Sequence, residues 1–90
     1  MMLTLRRISQ FKKDYKRCVK RGYDIEQLHA AIEVLANGKK LDAKYRDRSL
    51  LGDYRDCREC HIEPDWLLIY KLTEYELILI RTGTHTDLFD

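Results

Sequence analysis

At 90 residues the chain has room for one domain spanning residues 1–90 and none for a second, since domains commonly take roughly 100–150 residues. Hydrophobic residues make up 44% and charged residues 36%, which excludes a disordered chain and implies a modest core under a heavily charged surface. The net charge of +2 hides a segregation: residues 1–48 carry 13 Lys and Arg against 6 Asp and Glu, whereas residues 49–90 carry 4 against 9.

Leu3 to Ile8 alternates weakly and reads as a short edge strand. Ser9 then offers a helix cap, and Ile8, Phe11, Tyr15, Cys18 and Val19 recur at three- and four-residue spacing up to Gly22, the pattern of a first helix. Asp24 with Gln27 resembles a capping box, followed by Ile25, Leu28, Ile32 and Leu35 on one face and Asn37-Gly38 as the stop. The short connection implies an antiparallel helical hairpin. No period is sustained from Lys39 to Asp53, which reads as a long polar loop of the kind that often binds something. Tyr54 to Ile62, Trp66 to Leu72 and Glu76 to Thr82 are rich in aromatic and branched residues, and their short connections predict an antiparallel meander. The expected architecture is α+β: an N-terminal strand, two helices and three strands, with both helices on one face of an antiparallel sheet.

The meander carries a geometric expectation. Turns near Glu63-Pro64 and Glu74 bring His61, Asp65, Trp66, Arg81 and His85 to one end of the sheet. Two histidines, a carboxylate and an arginine are what metal-free phosphodiester cleavage needs: one group to take the ribose 2′-hydroxyl proton, one to protonate the departing 5′-oxygen, and a cation for the charge gathering on phosphorus. Trp66 and Tyr70 share strand parity and read as core. Phe89 lies outside any apolar run and suits stacking on a base. The cations Lys12, Lys13, Lys16, Arg17, Lys20 and Arg21 read as a solvated helix face or a phosphate-facing surface. His29 receives no role.

Cys57-Arg58-Glu59-Cys60-His61 matches the haem-attachment pattern, yet no export signal precedes it. Residues three apart in a strand point to opposite faces with Cα atoms roughly 10 Å apart, which disfavours a shared ligand or disulfide and a zinc site built from Cys57, Cys60, His61 and His85. The three cysteines are read as thiols of a reducing compartment, with no metal or cofactor. No stretch is long and apolar enough for a membrane span, so a cytoplasmic protein without a membrane partner is expected.

The segment His-Ile-Glu-Pro-Asp-Trp-Leu-Leu-Ile-Tyr at 61–70, with Arg-Thr-Gly-Thr-His-Thr-Asp-Leu-Phe at 81–89, resembles the C-terminal half of YafQ-type toxins of the RelE superfamily. Leu50-Leu51-Gly52 and Tyr54-Arg55-Asp56 fit the same pattern, as do the helical hairpin and the length. The resemblance implies a RelE-like fold and a type II toxin held inactive by a cognate DinJ-like antitoxin, with operator DNA reached through that complex. It further implies ribosome-dependent cleavage of messenger RNA. The family's site positions fall on His61, Asp65, Trp66, Arg81, His85 and Phe89. This reading makes His85 the general acid, Asp65 or His61 the base, with the two roles exchangeable, and Arg81 the transition-state cation; Trp66 and Phe89 bind substrate. Where related sequences usually have a histidine before Leu-x-Gly this chain has Arg48, which cannot shuttle protons near neutral pH but can bind a phosphate bidentately. That departure sustains an alternative: a RelE-fold module that no longer cleaves and acts with its antitoxin on DNA.

Overall fold

The computed structural model describes residues 2–90. The chain runs β1 (Thr4–Arg7), α1 (Ser9–Lys20), α2 (Ile25–Ala36), β2 (Arg48–Ser49), β3 (Arg58–Glu63), β4 (Trp66–Leu72), β5 (Glu76–Gly83) and α3 (His85–Phe89). The strands form one sheet in the order β1-β5-β4-β3-β2. β2 to β5 pair antiparallel, but β1 lies parallel to β5, with Thr4 opposite Glu76, so the sheet is mixed rather than antiparallel. The reason is the helical hairpin: it returns the chain through α1 and α2 as a crossover, leaving β1 on the free edge of β5.

Both long helices end as their sequences dictate, but each begins with a departure from the expected cap. Ser9 does not cap α1. It is the first helical residue, and Ile8 precedes it with no side-chain cap, its own N–H bonding Leu79 O at 3.3 Å as the strand ends. α1 closes on Gly22 at φ +78°, where Tyr23 N–H reaches back to Cys18 O at 3.1 Å, and α2 closes in the same way at Gly38. Asp24 caps α2 by accepting from Glu26 N–H; Gln27 reaches the Asp24 side chain rather than its backbone, so the reciprocal half of the expected box is missing.

The expected loop at Lys39–Asp53 has more order than its polarity suggests. It holds a 3₁₀ turn at Ala43–Tyr45, the two-residue β2, and the start of a second turn at Gly52–Tyr54. Tyr54 therefore stands in a turn, and β3 begins four residues later than expected because Cys57 N–H closes onto Tyr54 O at 3.0 Å. The third helix was not foreseen. Thr84 and Asp87 form a true capping box, each side chain accepting from the other's backbone N–H, which turns the chain into α3 directly after β5.

The core divides by sheet face. Cys60, Ile62, Trp66, Leu68, Tyr70, Leu77 and Leu79 pack with Phe11, Cys18, Leu28, Ala31 and Leu35 of the two helices. On the opposite face Leu67, Ile69 and Leu88 form a smaller cluster with Tyr54 and Cys57 around it. Cys57 and Cys60 thus belong to opposite sides of the sheet, as their spacing predicts.

Candidate active site

The register gathers His61, Asp65 and His85 at the sheet end where β3 turns into β4 and β5 gives way to α3. His61 stands opposite Leu67, which stands opposite Gly83, two residues before His85. Asp65 occupies the β3–β4 turn. Its Oδ1 accepts from His85 twice, from the backbone N–H at 2.9 Å and from ring Nδ1 at 2.6 Å. These two donors hold the Asp65 carboxyl below its ordinary value of 3.8, the backbone bond first. With Nδ1 committed to a carboxylate, Nε2 is the imidazole nitrogen of His85 left for chemistry. The His61 ring lies 5.9 Å from that of His85, centroid to centroid, and its Nδ1 is buried with no partner among the described residues.

Phe89, one turn along α3 and half exposed, has its ring 6.4 Å from His85 and meets the ring of Tyr54 edge-on at 5.7 Å. The Tyr54 hydroxyl in turn accepts from Arg81 Nη1 at 3.3 Å. Tyr54 was missed as a site residue because its sequence position read as the start of a strand.

Arg81, the cation expected for the transition state, is already paired. Its Nε donates to Asp14 Oδ2 at 2.6 Å and its Nη2 to Asp14 Oδ1 at 3.3 Å, and the Asp14 side chain is only 1% exposed. Asp14 Oδ2 also accepts Thr82 N–H at 3.2 Å, so a carboxylate from α1 occupies the edge of β5 beyond the end of β1. The bond to Asp14 raises the Arg81 pKa further above its usual value. Nothing in the spacing of Asp14 marks this role; it sits among lysines that are solvated.

Trp66 is corrected from substrate binding to core. It is 2% exposed, donates Nε1–H to Thr82 Oγ at 2.9 Å and packs against Tyr23, because its parity in β4 turns it to the helical side. Arg48 lies on the correct face but apart from the histidines. The register sets Arg48, Glu59, Ile69 and Arg81 in one row across β2, β3, β4 and β5, which separates the two arginine backbones by about 14 Å at ordinary strand spacing. Arg48 Nε donates to Glu59 Oε2 at 2.6 Å; Glu59 is buried while the arginine is largely exposed. A buried carboxylate thus anchors Arg48 with its outer amino groups facing solvent.

Residues 3–90 match the family of bacterial YafQ toxins of type II toxin-antitoxin systems. The chain belongs to the YafQ toxins. It is 44% identical over 81 residues to the mRNA interferase toxin YafQ of Escherichia coli K12, covering 89% of this chain and 88% of that one. The YafQ fold extends across the whole molecule: the toxin in the E. coli DinJ-YafQ complex superposes with a TM-score of 0.93 at 40% identity, covering 100% of both chains. A metal-bound toxin from Helicobacter pylori has a TM-score of 0.91 at 42% identity, covering 98% of this chain and 100% of that one. The present donor set does not match a resident ion: among the described residues no three His, Cys, Asp or Glu side chains are grouped to hold one, and Asp65 already engages His85 Nδ1.

Proposed function

We propose that this YafQ protein is an endoribonuclease that cleaves messenger RNA on the ribosome and is silenced by a DinJ-like antitoxin. The observation that carries the reading is the Asp65–His85 pair with His61 beside it, an oriented imidazole facing a second one. His61 takes the proton of the 2′-hydroxyl, which attacks phosphorus; His85 Nε2 protonates the departing 5′-oxygen. Asp65 orients His85, and the two N–H donors on its Oδ1 hold its carboxyl below the ordinary value, which makes it the poorer base. Arg81 stabilises the charge on the phosphorane-like transition state through Nη1, the group that faces Tyr54 rather than Asp14. Phe89 receives a base and Arg48 a flanking phosphate.

So few acid/base groups leave much of the rate to positioning, which the ribosome supplies by holding the message in line for attack. Primer extension on a translated message tests this. Cuts are expected with ribosomes and far fewer on naked RNA, undiminished when the toxin alone has been treated with EDTA and freed of it before the assay, and lost by roughly 10²–10⁴-fold in His85→Ala. Equal cutting of naked and ribosome-bound RNA defeats the ribosome dependence; loss after that treatment with rescue by added zinc defeats the metal-free chemistry.

A further inference from the structure

Asp14 and Arg17 of α1, and Arg21 at its C-terminal cap, run along the back of the candidate site instead of facing solvent alone. Arg21 grips Asp87 of α3 with two parallel bonds, Nη1 to Oδ2 at 2.6 Å and Nη2 to Oδ1 at 3.1 Å. Arg17 Nη2 lies 3.8 Å from Asp87 Oδ2 and donates to Asp14 Oδ1 at 3.1 Å. Asp14 holds Arg81. Ion pairs therefore continue without a break from Arg21 through Asp87, Arg17 and Asp14 to Arg81, joining the helix that carries His85 to the cation of the site.

The geometry gives this ladder a task. A helix of five residues does not hold itself, because it forms hardly more than the costly first turn. Its rotation about its own axis must be set from outside, by the burial of Leu88 and by Asp87. A bidentate arginine–carboxylate pair fixes direction as well as distance. The same Asp87 carboxylate accepts Thr84 N–H at 2.9 Å, tying the end of β5 to the start of α3. Turning α3 carries His85 off Asp65 and away from His61.

We propose that Asp87, gripped by Arg21 and Arg17, is a positioning residue that sets the rotation of α3 and so places His85 on Asp65, while Asp14 at the other end of the ladder aims Arg81. The cleavage readout rests on the function proposed above; the structural readout does not. Asp87→Asn retains an oxygen for Thr84 N–H and removes the charge that Arg21 grips. The carboxyl of Asp65, which touches neither residue of that pair, reports the outcome by ¹³C titration of the free protein. In the wild type the two His85 donors depress it, whereas the nearby Asp87 charge acts in the opposite sense. Removing that charge alone lowers Asp65 further; losing the position of His85 raises it toward 3.8. The expected result is a rise in Asp87→Asn. A smaller rise is expected in Arg21→Lys, which keeps the charge but not the paired bonds and serves if the first variant unfolds. With it, kcat for ribosome-bound message falls about tenfold or more at unchanged KM. A fall or no movement of Asp65 in both variants overturns the proposal. A rise in Asp65 in a protein whose wild type does not cleave upholds the positioning and overturns the cleavage.

Discussion

His85 and Arg81 are both held by carboxylates, but the two carboxylates differ in what they risk. Asp65 is exposed and loses little if its partner is removed, whereas Asp14 is buried and is left short of a cation when Arg81 goes. Removing one member of a buried pair costs up to roughly 3–5 kcal/mol, less here because Arg17, Gln10 and Thr82 N–H still reach Asp14. Arg81→Ala is therefore expected to lower the melting temperature as well as to stop cleavage. Arg81→Lys keeps the charge, should melt close to wild type, and should still lose most of its cleavage because a lysine cannot serve Asp14 and the phosphate together; calorimetry beside primer extension separates the two effects. Asp87 adds a pH term. Its carboxyl is held well below 3.8, chiefly by Arg21. A carboxylate depressed in the folded state stabilises the fold fully above its unfolded pKa and loses that contribution as pH falls through its folded one. Wild type should thus be more stable than Asp87→Asn at neutral pH, with the gap closing below about pH 4 as both are titrated toward acid. A gap that stays constant to pH 2 would place the effect elsewhere.

Among the elements, the long loop before β3 is secured to the sheet by one side chain more than by its own turns. Tyr70, buried in β4, donates its hydroxyl to Asp47, and Arg58 Nε donates to the other oxygen of the same carboxylate at 2.7 Å. Burial, then the neighbouring carboxylate, pushes the Tyr70 phenol above its ordinary range, so it remains a donor at any working pH. Tyr70→Phe should leave β4 packed but raise amide exchange across residues 39–49, where Arg48 is anchored; unchanged exchange there would count against the tether. The hairpin, the meander and the convergence of His61, Asp65 and His85 were legible in the sequence because each follows from a local period and a turn. Three things were not. The parallel placement of β1 depends on a partner 72 positions away, Thr4 with Glu76, which no window of sequence contains. α3 rests on Thr84 and Asp87, whose spacing is present in the sequence but too short to show a helical period. Asp14 carries no spacing that marks it as the partner of Arg81, whereas Trp66 lies in the core as its strand parity reads and not with the substrate as the resemblance implies.

At the scale of the whole molecule the basic first half proves to be two populations. Arg17 and Arg21 are spent within the fold, while Lys12, Lys13, Lys16 and Lys20 remain exposed along α1. Under the function proposed above, these lysines are the surface offered to acidic segments of an antitoxin or to RNA phosphates. Replacing Lys12 and Lys16 together by glutamate should speed dissociation from the antitoxin and flatten its dependence on salt without changing the melting temperature. A complex indifferent to both changes would mean an apolar interface. The edge position of β1 has a further consequence, in time rather than in space. During synthesis β1, α1 and α2 are made before β5, so until β5 follows the helices lack part of the sheet they cover and β1 has no neighbour to join. Contacts between such distant segments close late and slowly. Asp87 follows β5, and its grip on Arg21 forms later still. The nascent chain therefore cannot bring Arg81, Asp65 and His85 together until its last segments are out.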